Sequence, residues 1–417
     1  MTLKQIREYY CSVFHMEQPE IIDLVVALAF GVHISGDPIW LMIVGGSGTG
    51  KSELVNILSS VSNIHPLSTL TENTFLSGLR SFEGKETSFL TKIGNKGMIL
   101  MKDYTTILAL HGERQASIAA QMREIYDGKL TKETGNGKSL HWEGRIFFLG
   151  ASTDMIYIFN EKTAGMGQRM LYYVMPEQNR GKMLYASLNN LGDIQTKRKT
   201  LQEMVALFVE QNKDSVASLL PLPKDFETEL MELINFSTIA RTPTIRDYHG
   251  TLRMVLDSEA PMRIFKQVYF ASQLLVAIGG ELKPEYRQLI KKICIDCIPK
   301  MLRKTLHALA CFKTVTTKGL SQFLNYPTKT AGDWLQDLNV LGLVTRSVGV
   351  NKMDEWQLKE KYRQLLLKHV DGLWDRNRTL EADDSVEEEA RVSYDLGEIE
   401  EKEKNTEEAF ENAFGKF

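Results

Sequence analysis

Residues 39–52 read IWLMIVGGSGTGKS, an apolar run that stops abruptly in glycine, and residues 52–61, SELVNILSSV, continue with apolar positions at helical spacing. A short apolar run bounded by glycines is the pattern of a strand buried on both faces, as in a parallel sheet. Between strand and helix lie Gly45, Gly46, Ser47, Gly48, Thr49, Gly50, Lys51 and Ser52, a full match to GxxxxGK[ST] in the strand-then-helix context that the motif requires. The glycines let backbone N–H groups curl around a β-phosphate, where the start of the following helix adds its positive dipole end. Lys51 would reach the β- and γ-phosphates, and the Ser52 hydroxyl would ligate Mg2+. The expected ligands are therefore ATP and Mg2+.

Three further apolar runs follow the same plan. Residues 98–101 (MILM) end at Lys102 and Asp103, residues 145–150 (RIFFLG) end at Ala151, Ser152 and Thr153, and residues 170–175 (MLYYVM) stop at Pro176. Strands alternating with helical patterns point to an α/β fold with a mostly parallel sheet. A Mg2+-assisted hydrolase needs a carboxylate at the end of a neighbouring strand, and Asp103 fits. The usual Asp-Glu is replaced here by Asp103-Tyr104, which leaves two roles open for Asp103. It is either the magnesium-side carboxylate, with the water-activating base elsewhere, or the water-orienting group itself. Thr153, with Ser152 beside it, is the candidate for sensing the γ-phosphate, although Ser and Thr at strand ends also serve as caps and turn formers.

The chain has 417 residues, 43% hydrophobic and 25% charged, which excludes a fibrous or wholly disordered protein. At about 100–200 residues per domain, two to three domains are expected. Four segments are predicted: 1–180, a nucleotide-binding core with an N-terminal helix at 20–34; 181–298, helical; 299–370, a small module; and 371–417, an acidic, disordered tail. The formal charge of −3 hides an asymmetry. Residues 380–417 hold 14 acidic and 4 basic side chains, leaving 46 basic and 39 acidic in the rest, a basic body with an acidic tail. That pattern suggests nucleic-acid contact for the body and a protein partner for the tail, whose Phe410, Phe414 and Phe417 suit a groove. Four cysteines are too few for a disulfide scaffold, and Cys294 and Cys297 read as helix core rather than a metal pair. No apolar run approaches a membrane span and the start lacks a signal-peptide pattern, so no membrane association and a reducing, cytoplasmic compartment are expected.

The order of these parts resembles the AAA+ P-loop ATPases, nearest to the minichromosome-maintenance and superfamily 3 helicases and the related ATPases of phages and mobile elements. The resemblance covers about residues 20–280. Residues 129–142, KLTKETGNGKSLHW, read as a β-hairpin about Gly135-Asn136-Gly137. It stands where such helicases place a hairpin in the ring pore, which implies that Lys132 and Lys138 meet the phosphates of single-stranded or forked DNA. Gly167-Gln168-Arg169 looks like the position whose arginine enters a neighbouring subunit's nucleotide site, implying a homo-oligomer and by resemblance a hexamer. Arg263, opening the helix at RIFKQVYFASQLLVAI, resembles the second sensor that touches the γ-phosphate from a helical lid; Arg241 and Arg246 compete for that role.

Residues 299–358 read as helix, helix, helix and a two-stranded wing, a winged helix-turn-helix pattern with Pro327 at the third helix's start and Gly342 near its end. In DNA-binding members the third helix enters the major groove, which would put Thr328, Lys329 and Thr330 near bases and Arg346 and Lys352 in the wing. Asp333 and Asp337 on that helix also suit a protein-docking module. The resulting expectation is an ATP-hydrolysing, ring-forming DNA motor of a phage or mobile element, helicase- or translocase-like and acting in DNA replication. Residues 1–19 are too few for a primase, origin-binding or collar domain, so a helicase working with a separate primase or initiator is expected. The alternative is a nucleotide-switched DNA- or protein-binding AAA+ module, such as a helicase loader, transposition regulator or defence ATPase, that does not unwind.

Overall fold

The structure, a computed structural model, describes residues 1–77, 88–133, 139–162, 169–216, 219–349 and 353–369. All belong to one compact unit, Met1–Asp375. Lys138, Lys352, Gly167, Gln168 and the acidic tail lie outside the described residues.

Helix α1 (Leu3–Val13) buries Leu3, Ile6, Tyr10 and Val13, the three-four spacing of one helix face. Thr2 caps it: its hydroxyl accepts from the Gln5 N–H at 3.3 Å and the Gln5 amide oxygen accepts from the Thr2 N–H at 2.9 Å. Helix α2 (Glu20–Gly31) is buried along nearly its whole length. The nucleotide-binding part follows in the order β1 (Trp40–Val44), α3 (Lys51–Asn56), β2 (Ile64–Pro66), α4 (Phe89–Ile93), β3 (Lys96–Met101), α5 (Thr105–Leu108), α6 (Gly112–Tyr126), the hairpin β4 (Lys129–Glu133) and β5 (Ser139–Glu143), β6 (Arg145–Ser152), α7 (Met155–Lys162) and β7 (Leu171–Val174).

Five of these strands form one parallel sheet in the order β2-β3-β6-β1-β7. The α/β fold with a parallel sheet is thus as expected, with β2 an added edge strand. All four apolar runs read from the sequence are strands, with ends within two residues of those expected. Strand β6 is buried on both faces, and two neighbouring phenylalanines show why a continuous apolar run is needed. The Phe147 ring packs at 6.3 Å on Phe270 on one face. On the other, Phe148 packs at 5.3 Å on Trp40 and 6.1 Å on Tyr104, and Trp40 meets Tyr126 of α6 edge-on at 5.4 Å. Helices therefore cover both faces.

Residues 181–298 are mainly helical, as predicted: α8 (Arg180–Asn189), α9 (Ile194–Asn212), α10 (Lys224–Ala240), α11 (Met262–Gly279) and α12 (Pro284–Asp296), with a hairpin of β8 (Thr244–Arg246) and β9 (Leu252–Val255) that the sequence reading treated as helical ground. Helix α12 lies on β7 and α2, and α11 lies on α2, so these helices pack on the sheet. Cys294 and Cys297 are buried in that packing, as expected of core residues. Helix α8 differs from all of them because it buries none of its side chains, and Leu184, Tyr185, Leu188 and the following Leu191 are 64–72% exposed.

The last elements are α13 (Lys300–Cys311), β10 (Val315–Thr316), α14 (Thr317–Leu324), α15 (Thr328–Val340), β11 (Val344–Val348), β12 (Asp354–Leu358) and α16 (Glu360–His369). Three antiparallel strands in the order β10-β12-β11 replace the expected pair. Pro327 caps α15, and Gly342 just beyond it has φ +72°, the left-handed turn that ends a helix. Among the described residues, no helix is long and apolar enough to cross a membrane.

Candidate functional site

The loop between β1 and α3 is seated on both neighbouring strands. Gly45 N–H donates to the Ser152 carbonyl at 3.2 Å, and Met175 N–H donates to the Val44 carbonyl at 2.8 Å. Within the loop the Thr49 hydroxyl donates to the Gly46 carbonyl at 2.9 Å. Gly48 and Gly50 have φ +77° and +86°, a left-handed backbone that a side chain at either place would strain. Among the described residues, none accepts a hydrogen bond from the backbone N–H groups of Gly46, Ser47, Gly48, Thr49 and Gly50, a run of free donors that suits an anion. Lys51 is buried and its ammonium folds back onto the Gly46 carbonyl. Burial lowers its pKa, while the charges of Asp103 and Asp154 act to raise it. A cation held in this way gains from any anion that enters the loop.

Strand order brings the other groups to the same edge. Because β6 lies between β1 and β3, its end falls beside both, with Val44 opposite Ser152 and Met101 opposite Gly150. The Ser52 hydroxyl donates to the Lys102 carbonyl at 3.1 Å, one residue from Asp103. Asp103 is exposed and one of its carboxylate oxygens accepts from the Thr105 N–H at 2.9 Å. Ser152 turns its hydroxyl to the neighbouring Thr153 carbonyl, whereas Thr153 Oγ1 is buried with no hydrogen-bond partner among the described residues. A buried hydroxyl without a partner is costly and uncommon, so it marks a place where a ligand oxygen or water fits. A hydroxyl and a carboxylate beside a phosphate cradle are the hard oxygen donors that Mg2+ takes alongside nucleotide phosphates and water. Among the described residues, no group of three or more His, Cys, Asp or Glu side chains forms a metal cage, and such a site does not need one.

Two residues at this edge were not singled out in the sequence. Asp154, next after Thr153, is ion-paired with Lys300 from the first turn of α13. Glu53 is held by Arg198 of α9, whose Nε donates at 2.9 Å, tying the loop's helix to the helical segment. Asp154 could have been found by reading one residue further along the strand end. Lys300 and Arg198 had no local signal.

Arg169 and Arg263 lie at the opposite edge. Arg169 precedes β7, whose Leu171 is opposite Leu41, so it stands beside the start of β1 rather than its end. Gln267 fixes this arrangement by accepting from Trp40 N–H at 2.9 Å and donating to the Arg169 carbonyl at 2.9 Å. The Arg169 guanidinium bonds Asp127 at 2.8 Å. Arg263, one turn before Gln267, pairs with Glu259, as does Arg241. Burial raises the pKa of Tyr126, whose ring meets Trp40 edge-on, and both Arg263 and Arg169 act to lower it, which places all three together. A five-residue strand spans about 16 Å. Arg263, expected to touch the γ-phosphate, thus stands beside the start of β1, about one strand length from the Gly45–Ser52 loop at its other end. Arg246, the other competitor, is bound to α15.

The residues expected to contact DNA sit in different surroundings. The Lys132 ammonium donates to the Glu72 carbonyl at 2.6 Å, Asn73 Oδ1 at 2.7 Å and the Leu76 carbonyl at 3.2 Å. It ties the hairpin to the segment beneath it, and burial lowers its pKa. All three of its protons are used, so it is not presented to a phosphate. Lys329 is exposed at the start of α15 and lies near Gly250. Arg346 is bound through two bonds, 2.8 and 2.7 Å, to Asp354. The polar face of α15 is taken by Arg246, which donates to Asp333 at 3.0 Å, Gln336 at 3.2 Å and Asp337 at 2.6 Å, and also to the Asp333 and Gly250 carbonyls at 2.9 Å. The β8–β9 hairpin thus covers this face of the helix expected to read DNA, and its turn carries Tyr248, 98% exposed.

No protein-family model matches the chain, and no curated protein matches it.

Proposed function

We propose that the chain is an AAA+-type P-loop ATPase related to the minichromosome-maintenance and superfamily 3 helicases, with a C-terminal winged helix. The observation that carries the proposal is the convergence, at one end of one parallel sheet, of the Gly45–Ser52 loop, the Asp103 carboxylate and the partnerless Thr153 hydroxyl. Lys51 and the loop N–H groups bind the β- and γ-phosphates. Ser52 and Asp103 would hold Mg2+, which would supply positive charge to offset that of the phosphates. Thr153 orients the attacking water or the γ-phosphate. The Ser52 bond beside Asp103 favours the magnesium-side role for this carboxylate.

In this reading the active species is a homo-oligomer, by resemblance a hexamer, because Arg169 and Arg263 stand too far from their own phosphates to act on them. Each would stabilise charge on the transferring phosphoryl group of a neighbouring copy. The exposed apolar stripe of α8 supports assembly, since three large apolar side chains on the helix and a fourth, Leu191, just beyond it are more than an isolated surface usually carries. ATP closes the contact between copies and hydrolysis releases it, moving the β4–β5 hairpin on DNA as a phage or mobile-element replication motor.

A second reading is favoured by one observation. With Lys132 and the polar face of α15 both committed within the chain, DNA contact is thinner than the motor requires, which suits a nucleotide-switched binding module. Both readings are tested by measuring Mg2+-dependent ATP hydrolysis with and without forked DNA, strand displacement, and particle mass with ATP, using Lys51→Ala as control. DNA-stimulated hydrolysis with displacement supports the motor. Hydrolysis without displacement selects the switch, and no ATP binding by the wild-type chain refutes both.

A further inference from the structure

The Asp154 carboxylate lies between two cations. It is ion-paired with Lys300, and its charge bears on Lys51 in the phosphate loop. Both members of the Asp154–Lys300 pair are accessible, at 45% and 36%, so the bond can exchange without unpacking the core. An exposed pair of this kind is weak and yields readily to a stronger partner. The backbone that carries Lys300 is fixed. One turn along α13, Arg303 donates to Asp296 at 2.6 Å, and the other oxygen of Asp296 accepts from the Val174 N–H at 2.7 Å. Val174 is opposite Val44, the residue just before the loop, so the first turn of α13 is anchored to the same strand ends that seat the phosphates. Lys300 is thus the first residue of α13 and a cation at the correct edge of the sheet, where Arg263 is not.

We propose that Lys300 is a phosphate-contacting residue of the nucleotide site in its own chain, exchanging Asp154 for the γ-phosphate, and that this exchange couples nucleotide state to α13 and the helices after it. The inference rests on the nucleotide-site reading above. A γ-phosphate brought in by Lys51 carries more negative charge than one carboxylate, so it draws the Lys300 ammonium away from Asp154 and repels Asp154 itself. ADP lacks that phosphate and leaves the pair intact. The signature is therefore discrimination between ATP and ADP, which a merely structural ion pair would not provide.

The test uses the full chain. ATP and ADP affinities are measured by calorimetry for the wild type, Lys300→Ala, Lys300→Arg, Asp154→Asn and Lys51→Ala, and hydrogen exchange across Lys300–Cys311 is followed with each nucleotide. Lys300→Ala should weaken ATP about tenfold, the scale of one charge-assisted hydrogen bond, with little change for ADP. Lys300→Arg should retain the preference, and Asp154→Asn, which removes the competing acceptor, should tighten ATP. The ATP-specific change in exchange across α13 should vanish in Lys300→Ala. If Lys300→Ala misfolds, the other two variants decide. An ATP-to-ADP ratio unchanged in Asp154→Asn and in a folded Lys300→Ala, while Lys51→Ala abolishes binding, overturns the role of Lys300 and leaves the nucleotide site standing. A wild-type chain that binds neither nucleotide overturns the site and this inference together.

Discussion

Replacing Arg246 by alanine should release the β8–β9 hairpin from α15, and the size of the effect follows from the contacts it removes. Arg246 donates to two carboxylates, one amide oxygen and two carbonyls, and its side chain is 19% exposed. Without it, Asp337 remains buried with no cation beside it. Removing one member of a buried pair costs about 3–5 kcal/mol, and the partial exposure of this network lowers that to about 2–4 kcal/mol. If α15 opens as a local unit, amide exchange along it should accelerate by about 30- to 700-fold, at tenfold per 1.4 kcal/mol. Burial raises the Asp337 pKa and Arg246 restrains the rise. A carboxyl whose folded pKa is raised loses stabilisation as pH rises through the window above its unfolded value, so the Arg246→Ala defect should be larger at pH 7 than near pH 4. Adding Asp337→Asn should recover a large part of it. Exchange unchanged in Arg246→Ala, or a double variant no better than the single one, would refute the reasoning.

Asp23 is fully buried in α2, accepts from the Tyr286 hydroxyl at 2.8 Å, and has a carboxyl pushed up by burial to about 6. The folded chain thus holds this proton more tightly than the unfolded one, and stability should fall by about 2 kcal/mol between pH 4 and 6, a decline that is lost in Asp23→Asn when denaturation is followed across that range. Thr153→Val replaces a partnerless hydroxyl by a methyl, so melting should hold or improve while ATP turnover drops about 100-fold; normal turnover removes Thr153 from the chemistry. Lys132→Met should loosen residues 70–77 and 129–133 by about 1.5–3 kcal/mol in exchange experiments while leaving the salt dependence of DNA binding unchanged. A reduced salt slope with normal protection would instead assign Lys132 to DNA.

What the sequence disclosed and what it hid differ by the range of the interactions involved. The phosphate loop, the runs ending at Asp103, Thr153 and Pro176, and the Pro327 and Gly342 signals of α15 are local patterns, and each lies where its spacing predicts. Helix α1 was equally local, with apolar positions at 3, 6, 10 and 13, and was missed because the strand signals that follow it dominate. The β8–β9 hairpin carried alternation and a His249-Gly250 turn within a region whose overall period was helical. By contrast, the Lys300–Asp154 and Arg198–Glu53 pairs join residues about 145 positions apart, and no local rule finds them. The same holds for Arg263. Its position at the head of an apolar helix was correctly read, but only the strand order shows which end of the sheet that helix start approaches.

The placement of β6 between β1 and β3 also governs when in the life of the chain the phosphate loop can exist. The motif occupies residues 45–52, yet among the described residues β1 pairs only with strands at 145–152 and 171–174, and both carbonyl seats of the loop come from those pairings. Non-local parallel pairing of this kind forms slowly and only after the later strands are made. A ribosome that has delivered the first 140 residues has therefore displayed the signature without building the cradle. If the loop is the nucleotide site proposed above, any fragment that ends before Pro176 should carry the motif, lack the pairings that seat it and fail to bind nucleotide.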